Sequence, residues 1–339
     1  MRSSQITIKD IARILGISPS TVSRALKDHP DINIDTKKAV NELAHKLKYQ
    51  PNAVALSLKN SRSNTIGVII PEIVHYFFSS VISGIDDVAA EKGFTVIICQ
   101  SNENFEREVA NAHMLLSHRV DGILVSITKE TLSFDHLIDL QEGGIPLVFF
   151  DRIAPTVNAD QVIIDDMEAA YKATRHLIET GRKRIAHFAG PQSLVIGKDR
   201  LQGYMNALSE AGLPIDNRLI VEADNYERGR KAVIEMFDAG IIPDGVFAVN
   251  DLTAVGAMQT IQQKGYKIPD DISIVGFSDG SLSGITDPHL TSVDQHGYEM
   301  GTTAAEMLFN RILSHETEYI PEVKILTADL IVRGSSVKE

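Results

Sequence analysis

Two groups of residues have the types and spacing to do chemistry. The first is a run of short donors and acceptors near the N-terminus, Ser18-Pro-Ser-Thr-Val-Ser-Arg24. Hydroxyls on short stems and a forked guanidinium fit phosphate oxygens and base edges. The second is Gly276-Phe-Ser278-Asp-Gly280, which matches the G-x-S-x-G pattern directly after an apolar run. Asp287 or Asp294 and His289 or His296 follow it in the order of a hydrolase triad. A nucleophile elbow, however, needs a helix immediately behind the serine. Gly280, Gly284 and Pro288 break any such helix, and the acid and histidine come too soon to sit on separate later strands. The loop therefore reads as a strand-end turn lining a ligand cleft. There is no phosphate-binding Gly-rich Lys loop, dinucleotide glycine fingerprint or paired-histidine zinc helix, and the eleven histidines show no metal-like spacing. No catalytic residue, metal or cofactor is expected.

The elements that must hold the first group are legible. Ile8, Ile11, Ala12 and Leu15 fall at i, i+3, i+4 and i+7, the stripe of a short helix, with Thr7 as N-cap, Asp10 at N3 and Gly16 able to end it. Ser18 can cap a second helix whose first position is Pro19. In that helix Val22, Ala25 and Leu26 face inward, while Ser20, Thr21, Ser23, Arg24 and Lys27 face outward. Two short helices around a Gly-containing turn make a helix-turn-helix. An ordinary helical hairpin would have no need of that outward face, so the reading is DNA binding. A third helix, from about Asp35 to Lys48, has Val40, Leu43, Ala44 and Leu47 as its core stripe. Its lysines are either a solvated face or phosphate contacts. Asn52 can cap a further segment of about seven residues, too short to be stable alone. It folds on a partner or lies on the body; its own residues do not choose.

The net charge of −12 over 339 residues argues, taken alone, against nucleic acid. The charge is split. Residues 1–62 hold 11 Lys/Arg and 5 Asp/Glu, a net of +6, which leaves −18 on the rest. That is a small basic module on an acidic body. In the body, strand-like runs such as Thr65–Ile70, Gly122–Ser126, Leu147–Phe150, Ile185–Ala189, Val246–Val249 and Ile272–Phe277 alternate with helical stretches. Alternating βα units imply parallel sheets covered by helices, with ligands at the carboxyl ends of strands. About 275 residues exceed one typical core, so two lobes are expected. Phe77 and Phe78 are either core or site. Asp151-Arg152, after a strand, is an ion pair or a ligand site, and Asn250-Asp251 is a helix cap or a ligand site. Cys99 on an apolar strand reads as core, and a single cysteine excludes an internal disulfide. Met1-Arg-Ser-Ser-Gln5 leads into no unbroken apolar stretch, so no export signal is expected and a cytoplasmic location is.

Residues 7–71 resemble the start of a LacI/GalR-family transcription repressor. The resemblance rests on Thr7-Ile-Lys-Asp-Ile-Ala12, Gly16-Ile-Ser-Pro-Ser-Thr-Val-Ser-Arg-Ala25, Tyr49-Gln-Pro-Asn-Ala-Val-Ala55 and Ile66-Gly-Val-Ile-Ile-Pro71, and runs through nearly the whole chain. It implies an α/β fold: an all-α helix-turn-helix head, residues 1–50, then a hinge helix and linker, residues 51–63. A two-lobed periplasmic-binding-protein-like core with parallel sheets and three crossovers, near Val162, Val293 and Lys324, follows. Its lobes would be residues 64–162 plus 293–324 and residues 163–292 plus 325–339.

The resemblance also assigns roles. Pro19, Ser20 and Arg24 match base-reading positions, Thr21 and Ser23 phosphate contacts, with Thr7 and Ser18 at the helix starts counted among the DNA-facing residues. Two hinge helices, one per subunit of a homodimer, would pair in the minor groove of a pseudo-palindromic double-stranded operator. Asn52, Ala53 and Leu56 belong to that hinge, and Leu58 matches the apolar wedge that kinks DNA. Pro19 and Leu56 depart from relatives with polar residues there, and each gives up a contact.

In the body, the effector positions are Phe77, Phe78 and Ser79, then Asp151, which would accept from sugar hydroxyls, Arg152, Arg200 and Asn250; Asp251 would cap its helix. Ser278 stands where relatives carry an acid, and Asp279 would substitute. Asp224 stands where relatives often place a stacking aromatic, so the effector is expected to be polar, a carbohydrate or sugar phosphate. The chain ends without a leucine heptad, against a coiled-coil tetramer. A periplasmic solute-binding protein would share the body but lack the basic module.

Overall fold

The computed structural model describes residues 6–49, 62–314 and 319–338. The chain divides into two compact units, Met1–Ser63 and Asn64–Glu339. In the first unit, α1 (Ile8–Leu15), α2 (Pro19–Leu26) and α3 (Ile34–Lys46) surround Ile11, Ala12, Val22, Ala25, Val40 and Ala44. Local signals place each helix. Thr7 and Asp10 form a reciprocal capping box, Gly16 takes φ 64° at the end of α1, and Ser18 caps α2 with Pro19 at its first position. Asn33 caps α3 by accepting from the Thr36 N–H.

In the second unit, β1 (Thr65–Ile70), β2 (Thr95–Gln100), β3 (Gly122–Val125), β4 (Leu147–Phe150) and β5 (Asp160–Ile164) alternate with α4 (Tyr76–Glu91), α5 (Phe105–Ser117) and α6 (Asp135–Glu142). Next, α7 (Asp166–Glu179), α8 (Val195–Glu210), α9 (Tyr226–Asp238) and α10 (Asp251–Gln263) alternate with β6 (Ile185–Ala189), β7 (Ile220–Glu222), β8 (Gly245–Ala248), β9 (Ser273–Ser278) and β10 (Thr291–Asp294). The last elements are α11 (Gly297–Leu313), β11 (Val323–Leu326) and β12 (Asp329–Ile331). Two six-stranded sheets result, in the orders β11-β5-β4-β3-β1-β2 and β12-β10-β9-β8-β6-β7. All pairings are parallel except that of β12 with β10.

Strands covered on both faces are apolar on both. Ile66, Val68 and Ile70 of β1 join one buried cluster and Ile69 another; Val148 and Phe150 of β4 part from Leu147 and Phe149 in the same way. The chain passes between the sheets three times, after Ile164, after Asp294 and after Leu326. Each crossing falls one or two residues beyond the position expected from sequence, because pairing continues to the last residue of each strand: Leu326 still pairs with Ile164, and Asp294 with Ser278. Strands β10, β11 and β12, and helices α6 and α11, were not picked out from the apolar runs. Three of the four residues of Thr291-Ser-Val-Asp294 are polar, and β11 is an exposed edge.

Candidate functional site

In the first unit, Pro19, Ser20 and Arg24 are exposed on α2, with Thr21 and Ser23 half-buried beside them. The Ser18 hydroxyl accepts from the Thr21 N–H at 3.1 Å and lies 2.7 Å from Ser20 Oγ and 2.8 Å from Thr21 Oγ1. The cap therefore also orders the hydroxyls of the first turn. Thr7, at the start of α1, donates its hydroxyl to Asp10. The hinge residues Asn52, Ala53, Leu56 and Leu58 lie outside the described residues.

In the second unit a cleft of about 170 Å³ opens between the two sheets, where residues from both converge at carboxyl ends of strands. From the first lobe come Glu103 after β2, Lys129 after β3, and Asp151 and Arg152 after β4. Opposite them lie Gly190 and Pro191 after β6, Asp224 after β7, Asn250 after β8 and Arg200 on α8, while Gln295 stands in the crossing after β10. Several of these strand ends carry an uncommon backbone. Asp151 has φ 60°, Ser278 φ 106°, Asp279 φ 47° and His296 φ 50°. Left-handed conformations at non-glycine residues cost about 1–3 kcal/mol each and collect at functional sites.

Asp151 is buried, and its hydrogen-bonding capacity is mostly open. Gln295 Nε2 donates to its Oδ1 at 3.4 Å, and Arg152 Nε stands 3.9 Å from Oδ2. Burial pushes its carboxyl above the usual range, and Arg152 and Arg200 oppose that rise. Arg200 is held on three sides. Its Nε donates to Asp166 at 2.7 Å and its Nη1 to the Val249 carbonyl at 2.8 Å, and the guanidinium lies 3.7 Å from the centre of the Phe277 ring. Burial raises the carboxyl of Asp166 as well, with Arg200 opposing.

Arg152 donates from Nη1 to both oxygens of Glu103, at 2.8 and 3.0 Å, and its guanidinium lies 5.8 Å from the centre of the Phe78 ring. Lys129 spans the cleft: its Nζ donates to Asp224 at 2.8 Å, and its carbonyl accepts from Ser193 at 2.8 Å. The loop that carries it is tied down by the buried Glu108, which accepts from the Thr128 N–H, the Thr131 hydroxyl and His136.

Of the residues expected from sequence, Phe77, Phe78, Asp151, Arg152, Arg200 and Asn250 line this cleft. Ser79 does not: it lies on α4, where its hydroxyl donates to the Tyr76 carbonyl. Asp279 does not either. It is drawn away by Arg333, whose Nη2 donates to it at 2.9 Å, and Ser278 faces the cleft instead. The roles expected of Asn250 and Asp251 are redistributed. Asn250 is the cap of α10, accepting from the Thr253 N–H at 2.8 Å, and its Nδ2 donates to the Asp224 carbonyl at 2.7 Å. Asp251 is buried and holds the turn after β9, accepting from the Gly280 N–H and from Ser283 and Ser292. Burial raises its carboxyl to about 6. The hydrolase alternative fails at this turn. A 3₁₀ turn, Ser281–Gly284, follows Ser278 where an elbow needs an α-helix, and the Ser278 hydroxyl donates to Gln295 at 2.8 Å.

Lys129, Glu103 and Gln295 went unread in the sequence. For Lys129 a signal existed: Thr128-Lys-Glu130 follows a strand-like run, as Asp151-Arg152 does. For Gln295 there is none: it follows β10, whose four residues include a single apolar one. Among the described residues no group of His, Cys, Asp and Glu could hold a metal ion, and no helix is long and apolar enough to cross a membrane.

Two family models match the chain. "Bacterial regulatory proteins, lacI family" covers residues 7–52, and "Periplasmic binding proteins and sugar binding domain of LacI family" covers residues 63–333. The chain is 33% identical over 331 residues to the HTH-type transcriptional repressor CytR of Escherichia coli (strain K12), covering 97% of this chain and 96% of that protein. It is 34% identical to the catabolite control protein A of Priestia megaterium, covering 92% and 94%. Among solved structures, a lac repressor dimer bound to operator and the anti-inducer ONPF matches with TM-score 0.87 at 26% identity, over 98% of this chain and all of that one. A complex of the transcriptional regulator CelR with cellobiose matches with TM-score 0.74 at 30% identity, over 98% and 100%.

Proposed function

The chain belongs to the LacI family of bacterial regulatory proteins and is a DNA-binding transcriptional regulator, not an enzyme; we propose that it acts in the cytoplasm as a homodimer on a pseudo-palindromic operator, its affinity set by a carbohydrate or sugar phosphate in the cleft. The observation that carries the effector half of this reading is the convergence of Asp151 and Arg200, from opposite lobes, on one cavity. A carboxylate accepts from adjacent hydroxyls and a guanidinium donates to their oxygens, which is the pairing a polyol requires. A ligand gripped from both lobes favours one lobe orientation over the other. It shifts operator binding only by its difference in affinity for the two states. The DNA half rests on Pro19, Ser20 and Arg24 as base readers, Thr21 and Ser23 on phosphates beside Thr7 and Ser18, and Asn52, Ala53, Leu56 and Leu58 in the minor groove.

Operator binding measured with and without a sugar panel separates the two halves. Arg200→Ala should lose the effector response and keep operator affinity. Arg24→Ala should keep effector binding and lose preference at one half-site position by roughly 1–3 kcal/mol. If Arg200→Ala abolishes operator binding as well, the arginine serves the fold rather than the ligand. If Arg24→Ala weakens all sequences alike, that residue contacts phosphate.

A further inference from the structure

Three permanent cations line the cleft, Lys129, Arg152 and Arg200. Each already faces a carboxylate of its own: Lys129 meets Asp224 at 2.8 Å, Arg152 meets Glu103 at 2.8 Å, and Arg200 meets Asp166 at 2.7 Å. Asp151 is left over, with no ion pair closer than 3.9 Å. Glu72 adds a second acid, whose neighbour His75, 3.3 Å away, is pushed toward its neutral form by burial and by Arg152. Four carboxyls, Glu72, Glu103, Asp151 and Asp224, thus line the cleft against three bases.

We infer that the effector is an electrically neutral polyol, and that phosphorylated and carboxylated forms of the same skeleton are rejected. This rests on the cleft being the effector site. A phosphate brings a charge of about −1.5 to −2 at neutral pH. Here it would meet the surplus carboxylates, and every cation it could recruit would first have to leave a partner. Burial already works against the ionised form of Asp151; an anion beside it deepens that penalty, whereas hydroxyl donors relieve it. A hydroxyl satisfies both sides, donating to Asp151 and accepting from the guanidinium hydrogens of Arg200 that Asp166 and Val249 leave open. The Lys129–Asp224 pair acts alongside, joining the two lobes across the cleft at 2.8 Å.

The test is a melting-temperature and calorimetric screen of the full-length chain. Monosaccharides, disaccharides and ribonucleosides are each run beside their own phosphates, and the hexoses beside their uronic acids. Binding confined to neutral members, weakened at least about tenfold by Asp151→Asn, is the expected result. A phosphate or uronic acid that binds more tightly than its neutral parent, and is likewise weakened by Asp151→Asn, overturns neutrality and leaves the effector cleft standing. Neutral binding that neither Asp151→Asn nor Arg200→Ala changes puts the ligand elsewhere and overturns both, as does a panel silent in every arm. If Asp151→Asn does not fold, the wild-type preference between each parent and its phosphate decides the inference.

Discussion

His187 lies on β6 with its ring stacked between Tyr204 and Phe247, at centroid distances of 5.1 and 4.8 Å. Its Nδ1 donates to the Phe247 carbonyl at 3.1 Å, and its buried Nε2 has no hydrogen-bond partner among the described residues. Burial above all, aided by Arg200, lowers its pKa to about 4. Its folded value lies below the unfolded value of about 6.5, so the unfolded chain takes up the proton first as pH falls. The neutral form therefore contributes fully above pH 6.5, and its contribution is lost between pH 6.5 and about 4. His187→Phe should gain on the wild type by about 3 kcal/mol over that interval. Urea denaturation at pH 7 and pH 4 measures it; parallel profiles for the two proteins would refute the assignment. Asp251, raised to about 6, works in the opposite direction, gaining stability on acidification, and is common to both proteins.

At the scale of elements, helix pairs approach closely enough to exclude a single methyl group. A Cβ on Gly301 of α11 would lie 2.0 Å from the Val81 carbonyl oxygen, and one on Gly84 of α4 would lie 2.3 Å from that of Tyr298. These are backbone atoms on a facing helix, which cannot swing aside as a flexible side chain can. The contact matters because α4 begins at the cleft and α11 leaves directly from a crossing between the lobes. Gly301→Ala should cost about 1–3 kcal/mol in denaturant unfolding, against the small gain that a helix interior ordinarily draws from alanine. A neutral or stabilised variant would mean that the two helices separate freely.

For the whole molecule, the charge division is the organising feature. Residues 1–62 carry +6 and the remainder −18, and the boundary between the two compact units falls after Ser63. Phosphate contacts release counterions and make binding salt-sensitive, so operator binding by the full chain should fall steeply as salt rises. A chain of residues 64–339 alone should keep effector binding, as its cleft is built wholly from its own strands, and should retain no DNA at any salt concentration. Gel-shift and calorimetric measurements on that fragment check both halves. Operator retention by the fragment would sink the assignment of DNA reading to the basic unit.

What the sequence determined alone is whatever depends on neighbours along the chain. The caps of α1 and α2, the left-handed Gly16, the outward face from Pro19 to Arg24 and the strands that are apolar on both faces follow from spacing and residue type within a turn or a strand. Asp151 was legible too, because a charged pair at the end of an apolar run must sit where a parallel sheet opens to solvent. Only the tertiary structure decided what partners each charge. Lys129 finds Asp224 from 95 positions away, Arg333 withdraws Asp279 from the cleft, and the capping of α10 falls to Asn250 while Asp251 turns inward to the β9 turn. A residue type declares what a side chain can bond. Which bond it makes is set by burial, which removes water as the competing partner and forces each charge toward the nearest group that the sheets bring within reach.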